Sequence, residues 1–372
     1  MIQSGVFWNK PAKRDAVRAA DPLGFDALRE AMADTLVPLL TGATVDADEY
    51  LVTLVGLRWA HESSGSSVDA TIFEEGFAPF ERALKQYWYK FRGRKSDGIT
   101  IVKKLCDGAQ PEVGRPILVD QRATGLLGHY VVSLRGMGLV GKGSLRVVEE
   151  AAECVLGDMS FSPPRNWASS WSGLKKAFAG MDYKAARRRL GVRLFEGGGD
   201  GMTRAARSTL ARPTATSWGQ VARQYLDTEQ ARLAGATSPL VRFETRALEV
   251  FGGILRGETT LPASTRKTLR FLAAAAQDAD PFPANWASDN PLRSAISDAL
   301  SSVTRGEEAV TALFRLHAAV TRDARRIEPW VSHLGDMPEN FQRWQPGGGI
   351  PDFRFGNLRT LIRQTGWRPH DS

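Results

Sequence analysis

Apolar side chains recur three or four positions apart along most of the chain, and this spacing restricts the fold more than any other feature. It is clear in Phe25, Leu28, Met32 and Leu36, in Phe77, Phe80, Leu84 and Trp88, in Phe243, Ala247, Val250 and Phe251, and in Val310, Leu313, Phe314 and His317. Residues at this spacing share one face of an α-helix. Asp46 and Asp48 offer N-cap oxygens to a further helix that carries Leu51 and Trp59. The sequence therefore predicts a mainly α protein built from multi-helix domains.

The lack of long apolar runs and the small number of cysteines exclude several protein classes. Residues 1–13 lack the apolar run of a signal peptide, and no stretch approaches the roughly 20 apolar residues of a membrane span. The two cysteines, Cys106 and Cys154, stand in no paired spacing, which argues against a disulfide scaffold or a structural zinc site. We expect both to be buried small hydrophobes. A cytoplasmic protein without a membrane partner is expected.

Charge is segregated along the chain. The formal net charge is +8 at pH 7. Residues 22–81 carry eleven acidic side chains against Arg29 and Arg58, a net charge of −9, whereas residues 82–104 carry a net charge of +7. A second basic block, 165–212, has eleven cations against three acids, a net charge of +8. Basic segments of this kind favour polyanionic partners.

Between Ala123 and Leu156 the pattern changes in an order that is typical of a winged helix. An apolar helical face, Leu126, Leu127, Tyr130 and Leu134, ends at the glycines Gly136 and Gly138. Residues 139–140 then read as a short strand, 141–143 as a tight turn, 145–148 as a returning strand and 149–156 as a helix. This order predicts an embedded winged helix-turn-helix with a small β-hairpin wing. The alternative is a helix and a hairpin packed inside an ordinary core.

Two segments resemble known families. Residues 130–140, Tyr-Val-Val-Ser-Leu-Arg-Gly-Met-Gly-Leu-Val, resemble the stretch from recognition helix to wing in many bacterial winged-helix proteins. Residues 23–34, which precede a helix with Tyr50 and Trp59, resemble the opening of an uncharacterised bacterial family encoded beside DNA methylases, helicases and ATPases in antiphage-defence loci. The first resemblance implies DNA binding, and the second implies a subunit of a defence or restriction assembly.

Candidate nucleic-acid contacts follow from the basic segments. Residues 87–95 interleave aromatic rings with cations, a combination that stacks bases and neutralises phosphates. His129 and Arg135 lie on the expected reading helix, Lys142 and Arg146 on the wing, and a run of three arginines supplies phosphate contacts. The candidates are Arg92, Arg94, Lys95, Lys103, Lys104, Arg122, His129, Arg135, Lys142, Arg146, Arg187, Arg188 and Arg189. Alternatively, the rings are core residues, and the arginine run pairs with the acidic surface of 22–81.

The sequence shows no pattern that predicts catalysis. The five histidines are scattered, and His61-Glu62 lacks the second histidine of a zinc-hydrolase helix. His317 lies on an apolar face and is expected in the core. The glycines of 197–201 are not followed by Gly-Lys-Ser/Thr, so no nucleotide-binding loop is indicated. Asp352 alone does not make the magnesium site of a nuclease. No catalytic residue, metal or cofactor is expected.

The leading hypothesis is therefore a non-catalytic subunit that binds double-stranded DNA, with an ATPase, nuclease or methylase as protein partner. The alternatives are a helical adaptor that binds only protein, and a metal-dependent nuclease whose site is assembled from distant residues. Breaks with proline or glycine place the expected boundaries: 1–160, an acidic helical region with the winged-helix-like domain; 161–215, an Arg-rich connector; 216–335, a helical bundle; and 336–372, a Gly/Pro- and Arg-containing tail.

Overall fold

The computed structural model describes residues 23–94, 98–163, 165–255, 260–306, 308–323 and 353–369. These residues are mainly helical, as predicted. The α-helices are α1 Phe25–Leu36, α2 Ala47–Ser64, α3 Asp69–Thr71, α4 Ala78–Arg92, α5 Ile99–Cys106, α6 Gln121–Thr124, α7 Leu126–Gly136, α8 Glu149–Leu156, α9 Trp171–Ala179, α10 Tyr183–Phe195, α11 Asp200–Leu210, α12 Thr228–Leu255, α13 Ala263–Asp278, α14 Pro291–Arg305, α15 Ala309–Asp323 and α16 Phe355–Thr365. A π-helical segment, Ile72–Phe77, joins α3 to α4.

The chain forms two compact units that interleave in sequence. Unit 1 comprises Met1–Pro38 and Arg207–Phe355, and unit 2 comprises Leu39–Ala206 and Gly356–Ser372. This division differs from the four consecutive segments expected from composition. Chain order was the basis of that expectation, whereas the units are built from contacts between segments that are distant in sequence.

Unit 1 is organised around the long helix α12. Helices α1, α13 and α15 pack on α12, and α14 packs on α13 and α15. The rings of Phe25 and Phe243 lie 6.0 Å apart, edge to face, where α1 meets α12. His317 is fully buried, and its ring lies 4.9 Å from that of Phe251. The predicted helical bundle and the predicted core position of His317 are both confirmed.

Unit 2 is organised around α2, which is buried along most of its length and packs on α4, α7, α8, α10 and the π-helical segment. A helix that is apolar all round belongs in the centre of a domain. Asp46 caps its N-terminus by accepting a hydrogen bond from the backbone N–H of Asp48, 2.8 Å away. Gly56 allows the close approach of α4, because a Cβ atom there would lie 2.4 Å from the ring of Phe80.

The last helix completes unit 2. The Gln364 side chain accepts a hydrogen bond from the backbone N–H of Ala47, at the start of α2 (2.7 Å). The Trp367 indole N–H donates to Glu196 (3.0 Å), and its ring lies 5.1 Å from that of Phe195. The C-terminal segment therefore packs in a core whose other helices lie much earlier in the sequence.

The β-hairpin wing is not formed as predicted. Helices α7 and α8 have the predicted bounds, but between them the described residues show a single antiparallel bridge, Val140 to Val147. The backbone N–H of Leu145 donates to the Asp69 carboxylate, and the carbonyl of Ser144 accepts from Arg135. The next bond of the ladder would run from the backbone N–H of Arg146 to the carbonyl of Gly141. That carbonyl accepts from the backbone N–H of Ser144 instead, and the Arg146 N–H donates to the Ser144 hydroxyl, so the ladder does not extend toward the turn.

No helix among the described residues is long and apolar enough to span a membrane.

Candidate nucleic-acid interface

The basic, aromatic end of α4 lies between α5 and α9. Lys90 Nζ donates to the carbonyl of Cys106, 2.9 Å away, and lies 4.0 Å from the ring centroid of Trp171. The Trp171 indole N–H in turn donates to the carbonyl of Gly108 (3.0 Å). These contacts bring the ends of α4 and α5 and the start of α9 together around one tryptophan.

Six cations on these helices are exposed. They define what we call the α4–α5–α9 surface: Lys90, Arg92, Lys103, Lys104, Lys175 and Lys176. Helices α5 and α9 contain no acidic residue, and Glu81, the one acid of α4, is fully buried. Asp107, which follows α5, is the exposed carboxylate closest in sequence to the group. The surface therefore has a strong excess of positive charge.

Aromatic rings lie beneath several of these cations. Lys175 Nζ lies 5.6 Å from the ring centroid of Phe91, and the Arg92 guanidinium lies 5.9 Å from that of Tyr87. Cation–π contacts at exposed sites are worth about 0.5–1 kcal/mol each. They favour defined positions for long side chains without neutralising their charge, so the cations remain able to bind phosphate.

Arg94 has a different environment from its neighbour Arg92. Its guanidinium bridges Asp46 and Glu49 at the N-terminus of α2 and lies 4.1 Å from the ring of Trp88. Burial raises the pKa of Glu49, against the opposing effects of Arg94 and of the hydrogen bond from Tyr130. Arg94 thus stabilises contacts within unit 2. Lys95, another predicted contact, lies outside the described residues.

The arginine run of α10 mostly contacts other helices. Arg187 binds both carboxylate oxygens of Asp48, at 2.6 and 2.7 Å. Arg189 donates to the carbonyls of Val155 (2.8 Å) and Leu156 (2.6 Å), at the end of α8. Arg188, between them, is exposed.

A fourth arginine of α10 extends the same pattern. Arg193 donates to the carbonyl of Met137 at the end of α7 (2.8 Å). Cations stabilise the C-terminal carbonyls of helices. Arg189 and Arg193 therefore have the surroundings of structural residues.

The expected reading helix, α7, presents few polar groups outward. His129 and Arg135 are half-buried, and Val132 is 52% exposed. Arg135 donates to the carbonyl of Ser144 (2.8 Å) and so links α7 to the loop that follows it. Side chains that read bases must reach the groove, and Arg135 is directed into its own domain.

The remaining predicted contacts lie near α7. Lys142 and Arg146 are exposed in the loop between Val140 and Val147. Arg122 is exposed, and its guanidinium lies 5.7 Å from the ring of Phe73.

A buried polar network joins α4 to α6 and α7. Glu81 is fully buried and accepts hydrogen bonds from the backbone N–H of Leu126 (2.8 Å) and from Gln121 (3.0 Å). Lys85 Nζ, 2% exposed, lies 3.2 Å from the same carboxylate. This ion pair anchors the start of α7 to α4. A glutamate and a lysine four residues apart on an otherwise apolar stripe were the sequence signal for it.

Sequence reasoning also missed Trp171 and the adjacent Lys175 and Lys176. A tryptophan followed at four and five positions by lysines, inside a basic block, was the available signal. Their contacts with residues 87–92 join segments that are distant in sequence, so only the structure could reveal them.

The described residues contain no group of three or more His, Cys, Asp or Glu side chains that could hold a metal ion. Cys106 is buried as expected, and burial raises its pKa to about 11. Cys154 is exposed, which corrects the expectation that it is buried. It lies on the outer side of α8, whose inner face is formed by Ala152, Val155 and Leu156.

Comparisons with family models, with curated proteins and with solved structures found no match to this chain, so its function is argued from the interface itself.

Proposed function

We propose that the protein binds double-stranded DNA through the α4–α5–α9 surface and is a non-catalytic subunit of a larger assembly. The observation that carries the proposal is the convergence of six exposed cations on three helices that contact one another around Trp171. Cations that neutralise phosphates release condensed counterions, and this release supplies most of the affinity of non-specific DNA binding.

The proposed contact is to phosphates rather than to bases. Five of the six cations on the surface are lysines, whose ammonium is a point charge without the rigid, bidentate geometry of an arginine guanidinium. Phosphate contacts fix position without reading sequence. We assign Lys142 and Arg146, in the short loop that takes the place of a wing, a second phosphate contact. Binding with little sequence preference is expected.

The test is duplex binding measured by fluorescence anisotropy between about 50 and 200 mM salt. The parent should show a steep loss of affinity as salt increases. Replacing Lys175 and Lys176 together with alanine should weaken binding and reduce the salt slope by up to about 1.8, since each lost phosphate contact contributes about 0.9. Absence of salt-dependent binding at low salt contradicts the proposal.

A matched control lies in unit 1. Arg266 and Lys267 are also adjacent, exposed and helical, and their removal changes the net charge by the same amount. If the surface is the contact, their replacement with alanine leaves the salt slope unchanged. Equal losses from both double variants would indicate a general effect of net charge instead.

The assembly part of the proposal is supported by the resemblance of residues 23–34 to the defence-associated family. The expected partner is an ATPase, a nuclease or a methylase. Sequencing the genes next to this one tests it: a neighbouring gene for a DNA methylase, helicase or ATPase supports the assembly, and a neighbourhood without any of them contradicts it.

A protein-binding adaptor is the second candidate. Phe271 of α13 is 72% exposed, an unusual position for a large apolar ring and one that favours protein contact. Duplex binding at low salt distinguishes the two functions. If the protein is folded and shows no such binding, the adaptor function is supported.

A further inference from the structure

Unit 2 also has a pocket whose lining residues and chemistry differ from those of the α4–α5–α9 surface. Its volume is about 150 Å³, and it lies between α2 and the segment after α8. The lining residues are Val55, Arg58, Trp59, Glu62, Met159, Ser160, Phe161 and Ser162. Four of these eight side chains are apolar or aromatic, and the other four, Arg58, Glu62 and two serines, are polar.

The apolar part of the pocket is rigid. The Trp59 ring contacts three others, with centroid distances of 5.4 Å to Phe161, 5.8 Å to Trp167 and 6.1 Å to Phe80. Val55, Met159 and Phe161 are almost completely buried. The pocket is therefore bounded by a packed aromatic cluster rather than by flexible surface side chains.

Carboxylates outnumber cations around the charged end of the pocket. Arg58 forms ion pairs with Glu149 (3.0 Å), Glu62 (3.4 Å) and Glu153 (3.5 Å). Three carboxylates share one guanidinium, so this group has a net formal charge of −2; Arg58 and Glu62 line the pocket, and Glu149 and Glu153 lie beside it. All three acids are about half exposed or more, so a ligand can reach them.

We propose that this pocket binds an organic cation, an ammonium or guanidinium group on a short apolar body. The surrounding carboxylates attract the charge, and Trp59, which lines the pocket, offers apolar contact and the type of aromatic side chain that binds cations best. A cavity of about 150 Å³ is known to accept a ligand the size of benzene. An n-butylguanidinium ion or the side chain of an arginine is of similar size. The proposal does not rest on nucleic-acid binding.

The proposal predicts in which direction the ligand affinity changes when Arg58 is replaced. If the ligand is a cation, Arg58 competes with it for the three carboxylates, so Arg58→Gln should increase the affinity. If the ligand is an anion, Arg58 is the group that binds it, and the same variant should abolish binding. The two ligand classes thus predict opposite effects of one substitution.

The experiment uses the full chain and follows the indole N–H signal of Trp59 by NMR, assigned with Trp59→Phe. The probes are n-butylguanidinium, n-butylammonium, n-butanol as the neutral analogue and butyrate as the anion. A blocked Gly-Arg-Gly peptide distinguishes a peptide side chain from a free small molecule as the source of the cation. Saturable shifts with the cations, and not with butanol or butyrate, are expected.

Charge variants complete the test. Glu62→Gln and Glu153→Gln should each weaken cation binding about two- to fivefold, the range expected for an exposed ion pair. Glu150→Gln is the matched control, since it removes an exposed charge from the same helix as Glu153 without contacting Arg58; it should change nothing.

Three results would overturn the proposal. They are equal binding of butanol and the cations, binding of butyrate that Arg58→Gln abolishes, and no shift of the Trp59 signal with any probe. Thermal unfolding of each variant checks its fold, and Glu62, at the exposed rim, provides a test that does not disturb packing.

Discussion

Arg188 and Arg189 are neighbours in sequence but have different surroundings. Arg189 donates two hydrogen bonds to the end of α8, whereas Arg188 is exposed. Arg189→Ala should lower the free energy of unfolding by about 1.5–3 kcal/mol, the range for hydrogen bonds of charged groups. Arg188→Ala should change it by about 0.5 kcal/mol or less. Urea unfolding measures both, and equal losses would show that the contacts of Arg189 contribute nothing.

Glu49 should make stability depend on pH. Burial raises its pKa above the ordinary value of 4.5, so the native protein retains this proton to a higher pH than the unfolded chain does. The cost of ionising Glu49 is absent below the unfolded pKa and grows as the pH rises toward the folded pKa. Relative to Glu49→Gln, the parent should therefore lose stability as the pH rises from 4.5.

The measurement for Glu49 is urea unfolding of both proteins at several pH values. Taking the difference between parent and variant removes the titration of the other groups they share. A difference that does not change with pH, or that favours the parent more as the pH rises, would contradict this account.

At the scale of helices, the Glu81 and Lys85 pair links α4 to α7. Removing one partner of a buried ion pair leaves an uncompensated charge and costs about 3–5 kcal/mol. We expect this loss for Lys85→Met. The double variant with Glu81→Gln should lose less than the sum of the single losses, because it leaves no buried charge. Urea unfolding of the three variants measures the coupling, and additive losses would mean that the two charges do not interact.

The sequence predicted most of the helices because their signal is local. The apolar spacing of Phe25 to Leu36 and the cap at Asp46 depend only on neighbouring residues, and both are found in the structure. Helices α7 and α8 were likewise predicted with their observed bounds.

The partners of charged residues could not be predicted in the same way. Arg187 and Asp48 are 139 residues apart, and the sequence showed only that basic and acidic segments exist. The wing was wrong because, in the turn, the Gly141 carbonyl accepts from the backbone N–H of Ser144 instead of from that of Arg146. The candidate interface was thus predicted in its α4 and α5 residues, but the contribution of α9 required the fold.

At the scale of the whole molecule, two tryptophans test whether the units have separate roles. Trp367 is 3% exposed and packs in unit 2, and Trp218 is 1% exposed and packs in unit 1, where it donates to the carbonyl of Phe353. Each change to alanine should cost about 3–5 kcal/mol. At a temperature where Trp367→Ala is partly unfolded, duplex binding should fall, because unit 2 carries the α4–α5–α9 surface.

The control is Trp218→Ala at the same temperature, which should leave duplex affinity unchanged. Calorimetry gives the stability of each variant, and anisotropy gives its affinity. Equal loss of binding in both variants would show that DNA binding needs the two units together.

The interleaving of the units has a consequence for synthesis on the ribosome. Residues 39–206 emerge about 150 residues before the rest of unit 2, a delay of roughly 8–30 s at ordinary rates of translation. Throughout that time Phe195 lacks the ring of Trp367. In unit 1, α1 likewise lacks its partner until α12, Thr228–Leu255, has been made. Unit 2 cannot be completed on the nascent chain before α16 is made, whereas unit 1 is complete once residue 355 has been added. Products that terminate within residues 207–354 therefore contain two unfinished cores, and both are substrates for chaperones.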